Sequence, residues 1–242
     1  MNKLFTLVFS ILISTQAFSE TLYAVANEWA PFTGAKIEGE GIAIQITRAA
    51  FKTQNFDLDV KFFPWARALK GATEADYDFI VAIWQTEERK KSFHFSDSYL
   101  ANEIKFIKPK GGAFEYNGLE SLTGKNVAVI RGYGYGDEFL NANNFRRPES
   151  NDLLKSIKKM VAGRVDLTLG DEVVARYELK NKAPDLLREI EFTKRALSVN
   201  QVHLATSLAH SKHEKIIGAF NKGLAEIKKN GTYDTILKAN GF

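Results

Sequence analysis

The chain has 242 residues, 45% hydrophobic and 26% charged, which suits a globular protein with one large core or two smaller lobes. It contains no cysteine, so disulfide frameworks and thiolate–zinc sites are excluded, and nothing else in it calls for a metal or cofactor. The formal charge of +4 comes from scattered basic residues rather than a stripe, so nucleic acid is not an expected partner.

Met1-Asn2-Lys3 supplies a positive start, Leu4 to Ile13 an apolar run, and Ala17-Phe18-Ser19 a small-x-small end. This is the pattern of a secretory signal peptide, residues 1–19, with cleavage expected after Ser19. The apolar run is too short to span a membrane. No cysteine follows it, so no lipid anchor is expected, and the mature chain from Glu20 is expected in the periplasm.

Leu22 to Ala26 reads as a strand, followed by a turn at Trp29-Ala30-Pro31-Phe32. Gly41 to Gln54 reads as a helix, with Ile42, Ile46, Ala49 and Ala50 on one face at 3.6-residue spacing. Leu58, Val60 and Phe62 alternate as a strand, and Pro64 opens a helix through Leu69. Asp78 to Ile83 is a continuous apolar strand of the kind buried on both faces. Glu103 to Ile107 is a further strand, and Lys108-Pro109-Lys110-Gly111-Gly112 reads as a hinge.

A second α/β cycle follows. Val127 to Ile130 predicts a strand, Arg131 to Gly136 (RGYGYG) a turn, and Asp137 a helix start. Ser150 is expected to cap a helix ending at Gly163, and Val165 to Leu169 a strand before a helix near Glu172. A return strand, Gln201 to Thr206, leads into a helix with Ile216, Ile217, Phe220, Leu224 and Ile227 on one face. Asn230-Gly231 ends it, and a short helix closes the chain. The expected units are a first lobe from 20–108 and 201–242, and a second from 109–200.

Three features carry candidate chemistry. Arg89 lies just beyond a buried strand, where side chains of open α/β sheets face a crevice, or it is one solvated charge of Glu87-Glu88-Arg89-Lys90-Lys91. RGYGYG between a strand and a helix is an anion nest or simply a tight turn. Asp171 and Glu172 end an apolar strand, and one of them is expected to cap the next helix. Trp29, Trp65 and Trp84 all fall at the expected ends of first-lobe strands, which suggests an aromatic-lined pocket. His94, His203, His210 and His213 show no ligand spacing beyond the His210–His213 pair.

The Trp29–Phe32 turn, TEERKKSFHFSDSY, VAVIRGYGYG, AGRVDLTLGDEV and the terminal NGTYDTILKANGF, taken in order, resemble the family 3 solute-binding proteins of bacterial ABC importers. The resemblance covers essentially the whole mature chain. It implies an α/β, two-lobed periplasmic-binding-protein fold (type II), with a ligand cleft between lobes joined by a two-segment hinge. By that resemblance Arg89 grips a ligand carboxylate, a role suited to a planar guanidinium that donates parallel hydrogen bonds. Asp171 would accept from an α-ammonium, Phe32 would pack over the ligand, and Gly134 and Tyr135 would offer backbone N–H groups. Trp84 and Trp65 add aromatic walls. Ala82 and Trp84 stand where small or hydroxyl residues are common, as do Tyr133 and Tyr135, so the pocket is expected to be more aromatic. Pro64-Trp65-Ala66-Arg67 resembles a subgroup whose ligands are poorly defined.

The implied function is capture of a small polar ligand, an amino acid or related carboxylate, by a monomer serving the membrane subunits of an importer. Two alternatives stand beside it. A dehydratase-like enzyme on the same fold would need a pocket acid with a raised pKa, for which Glu172 is the candidate. A ligand-sensing module would use the same cleft.

Overall fold

The computed structural model describes residues 19–241. Residues 1–18 of the expected signal peptide lie outside the described residues.

The first lobe opens with β1 (Glu20–Ala26), α1 (Ile42–Thr53), β2 (Phe56–Phe62), α2 (Trp65–Thr73) and β3 (Phe79–Trp84), followed by the short α3 (Glu87–Lys90) and β4 (Phe93–Phe95). Then β5 (Leu100–Pro109) leads into the second lobe, which holds β6 (Val127–Ile130), α4 (Asp137–Asn141), β7 (Glu149–Ser150), α5 (Leu153–Val161), β8 (Leu167–Asp171) and α6 (Glu172–Lys182). The long β9 (Ile190–Ser207) returns to the first lobe, which α7 (His213–Lys229) and α8 (Thr232–Ala239) complete.

All strands belong to one path, β2-β1-β3-β9-β5-β8-β6-β7, with β4 also on β9. β1 pairs parallel with β2 and β3, and β6 parallel with β7 and β8. The two parallel halves meet through the antiparallel β5–β9 ribbon. On β9, Val202 and Ala205 pair with Trp84 and Ile80 of β3. On β5, Ile104 to Ile107 pair with β8. The change of partner, with a register shift after Ile104, therefore falls at Asn102–Ile104 and Ser198–Val202. Lys108–Gly112, expected as a hinge, lies at the far end of the ribbon, where Lys110 N–H donates to Glu189 O.

The uniformly buried FIVAIW of β3 sits between neighbours on both sides, as its unbroken apolar run requires. Helices α1 and α7 cover one face, and Phe51 meets Phe79 and Phe220 at ring-centroid distances of 5.2 and 5.6 Å. Burial of each such ring stabilises the lobe by about 1.5–3 kcal/mol. The helices approach so closely that a Cβ on Gly223 would lie 2.1 Å from Ala50 O. The second-lobe core gathers Phe106, Tyr116, Phe139 and Phe145.

Three sequence-based expectations move. Ser150 lies in β7, and the cap of α5 is Asp152, whose extended backbone lets its side chain accept from Lys155 N–H at 2.8 Å. The strand expected at Val165–Leu169 starts at Leu167, because Asp166 is held in the preceding turn, its Oδ2 accepting from Asn126 N–H. The return strand begins at Ile190, well ahead of Gln201. Its polar first half pairs with β5 and lacks the apolar alternation that marks a strand in sequence.

Candidate functional site

The site begins with a helix cap. Thr86, the residue before α3, accepts from Arg89 N–H through its hydroxyl at 3.2 Å, and this tight turn folds Arg89 back beneath the end of β3. The residue is only 9% exposed although its neighbours Glu87, Glu88 and Lys90 are solvated. Nη1 donates to Trp84 O at 2.7 Å, and Nη2 donates across the lobes to Gly132 O at 2.9 Å. The guanidinium also lies 5.1 Å from the Trp65 ring centroid. Burial pulls its pKa down to about 10, which leaves it protonated at neutral pH.

Around it stands an aromatic box. Trp29, Trp65, Trp84 and Tyr133, with Asn27 and Arg89, line a cavity of ≈ 20 Å³, room for about one water. Tyr133 enters from the second lobe and meets Trp65 and Trp84 edge-on at 5.6 and 5.4 Å. Burial pushes its hydroxyl pKa up, opposed by a hydrogen bond with Asn27. A larger groove of ≈ 380 Å³, bordered by Glu38, Val173 and Tyr177, opens elsewhere between the lobes and is lined by neither Arg89 nor Asp171. The smaller box is the one that Arg89 lines.

The RGYGYG turn of the second lobe closes onto this box with its main chain. Gly132 O accepts from Trp65 Nε1 at 3.0 Å as well as from Arg89. A Cβ on Gly134 would lie 2.7 Å from Thr86 Cγ2 and 3.2 Å from Arg89 Nη1, so glycine is what permits the contact. Tyr135 turns inward: its hydroxyl accepts from Ile130 N–H at 3.1 Å, and its ring packs with the second-lobe core.

Asp171 caps α6, with Oδ1 accepting from Val174 N–H at 2.9 Å. It is 5% exposed, and burial pushes its carboxyl pKa up against the hydrogen bonds of Val174, Val173 and Asn102. Glu172 behaves differently. Burial opposes its ionisation, but Lys105 and Arg176 outweigh that and hold its carboxyl below the usual range. An acid poised to protonate a leaving group needs the reverse shift.

The structure thus gathers Arg89, Trp65, Trp84 and Gly134 at one seam, with Trp29, Tyr133, Thr86 and the Gly132 carbonyl. Phe32 is 1% exposed and stacks behind Trp29 at 4.6 Å. Arg67 lies over the Phe63 ring at 4.3 Å. Asn27, Thr86 and Gly132 join the site without standing out in the sequence; the T-x-x-R spacing of Thr86 and Arg89 in TEER holds the signal for Thr86, while a main-chain acceptor leaves none. Among the described residues no cluster of three metal-ligating side chains occurs. His210 meets Asp78 at 3.1 Å, and His213 meets His94 at 3.1 Å.

A family model of bacterial extracellular solute-binding proteins, family 3, matches residues 22–240. The chain belongs to that family. It is a solute-binding protein and not an enzyme, of a family that works outside the cytoplasm. The arginine-binding periplasmic protein of Mannheimia haemolytica is 24% identical over 240 residues, 97% of this chain and 96% of that one. The lysine/arginine/ornithine-binding periplasmic protein of Escherichia coli (strain K12) is 30% identical over 164 residues, 63% and 60% of the two chains. An ancestral arginine-binding protein bound to arginine superposes with a TM-score of 0.78 at 24% identity, covering 92% of this chain and 98% of that one. The likeness fixes the two-lobed, type II periplasmic-binding-protein fold.

Proposed function

We propose that this protein captures a small carboxylate, an amino acid or a close relative, in the box around Arg89 and delivers it as a monomer to the membrane subunits of an ABC importer. The observation that carries the reading is a buried guanidinium at the seam between lobes, neutralised by no carboxylate among the described residues. A guanidinium has five N–H groups, and the two carbonyls use two of them, so a ligand carboxylate has the remaining donors to meet. The relatives' names, which speak of arginine, lysine and ornithine, support an amino acid. Asp171, buried at the start of α6, supplies the acceptor for an ammonium. Phe32 supports the box from behind, Trp65 and Trp84 wall it, and Gly134 and Tyr135 set the closing turn. In this reading the lobes hinge at Asn102–Ile104 and Ser198–Val202, which the change of strand partner there supports. Export, with removal of residues 1–19 and a periplasmic destination, completes the reading.

The test is a thermal-shift screen of the mature chain against amino acids and small carboxylates. A ligand at about a hundred times its Kd adds about 2.7 kcal/mol. For a chain of this size that raises Tm by roughly 5–10 °C. Arg89→Ala is expected to lose most of that shift. Unaltered affinity in Arg89→Ala would make the residue a structural latch and overturn the assignment.

A further inference from the structure

Two of the buried polar side-chain atoms without a hydrogen-bond partner among the described residues, Ser198 Oγ and Asn200 Nδ2, lie together on the β5–β9 ribbon where it passes between the lobes, beside Asn102, whose side chain faces the Asp171 carboxyl. Asn102 pairs with Asn200 and Ile104 with Ser198, so by the two-residue period of a strand these side chains share one face. Ile104 also pairs with Asp171 on β8, which brings the start of α6 to the same face. Asn102 is only 5% exposed, and its Oδ1 accepts from Trp84 Nε1 at 3.1 Å. Trp84 therefore stands between two polar regions: its carbonyl holds Arg89, and its indole N–H holds Asn102.

Each orphaned group destabilises a fold that gives it no partner, and native structures keep few of them. Two on the face that carries Asn102 and Asp171 call for an occupant. An amide NH₂ group and a hydroxyl are donors, so the occupant must offer an acceptor oxygen. We infer that Ser198 and Asn200 form a second subsite, which takes a carbonyl, carboxamide or carboxylate oxygen at the end of the ligand remote from Arg89. This rests on the carboxylate reading of Arg89 for the near end of the ligand, and it narrows the substrate class to small carboxylates that carry a second acceptor.

The experiment has two readouts. The first needs no ligand: Ser198→Ala removes an orphaned hydroxyl and is expected to raise the ligand-free Tm by roughly 2–4 °C. A fall in Tm would mean the hydroxyl is satisfied within the fold or by water, and would overturn the inference. The second uses matched probes, L-glutamine against L-norleucine and glutarate against pentanoate, titrated calorimetrically. Whichever pair the wild type accepts, the member with the second acceptor is expected to bind at least tenfold more tightly. Ser198→Ala and Asn200→Ala are expected to narrow that gap, with binding of the apolar member unchanged. Equal binding within the pair, or a gap the substitutions leave intact, overturns the subsite. If neither pair binds, the Arg89 reading fails separately, and the ligand-free Tm alone decides the subsite.

Discussion

On the first-lobe side of the seam the contacts are made by side chains: the Trp65 indole, the Arg89 guanidinium and the Thr86 methyl group. On the second-lobe side the same contacts are made by the main chain, through the Gly132 carbonyl and the bare Cα of Gly134. The charge that the second lobe brings, Asp171, is directed at its own helix, whereas Arg89 reaches across. One lobe meets the seam through its side chains, and the other meets it through its backbone path and the Tyr133 ring. Substitutions should therefore act differently on the two sides.

The largest effect is expected where the backbone path itself is blocked. Gly134→Ala places a methyl group against Thr86, and overpacking of this kind costs about 1–3 kcal/mol. Because the clash exists only when the lobes meet, ligand affinity should fall roughly ten- to hundredfold by calorimetry while the unfolding midpoint of the ligand-free chain changes little. Thr86→Ser removes the opposing methyl and keeps a hydroxyl for the α3 cap, so it should restore most of the loss in the double variant. A failure of that rescue would break the contrast between the lobes.

A smaller effect is expected at Asp171. Asp171→Ala removes the cap of α6, worth about 1 kcal/mol, and should lower Tm by roughly 2–4 °C in thermal unfolding. The smallest effect concerns its charge. Burial raises its folded-state pKa, so ionisation weakens the fold above that pKa, and the penalty fades as pH falls through the raised value and is gone below the ordinary 3.8. Asp171→Asn keeps an oxygen for the cap and has no such charge. It should match or slightly exceed wild-type stability at neutral pH, with any gap narrowing as pH falls and closed below pH 3.8 in denaturant titrations. A gap that widened in acid would mean the carboxylate is favoured by a cation after all.

Much of this was legible in the sequence because the signals are properties of single residues. The buried run FIVAIW, the period of α7 and the T-x-x-R turn each announced an element or a side chain. Other features depend on what two distant segments do together. Nothing in RGYGYG tells that Gly132 offers its carbonyl to Trp65, since every residue has a carbonyl. The polar half of β9 reads as loop because Ser198 and Asn200 interrupt the apolar alternation, although they are paired strand residues. Asp171 was open between ligand contact and helix cap, and its cap bond is explicit in the structure.

The Gly132 carbonyl also bears on the timing of capture. It accepts from Arg89 and Trp65 together, so the two lobes are already latched over the box that we propose a ligand enters. A solute can reach the guanidinium only while the lobes are parted. Its apparent dissociation constant is then the intrinsic one divided by the fraction of molecules standing open. Association slows by the same fraction, whatever the charge of the solute. Loosening the carbonyl contact would speed loading, and the same contact, once re-formed over a bound molecule, lengthens its residence.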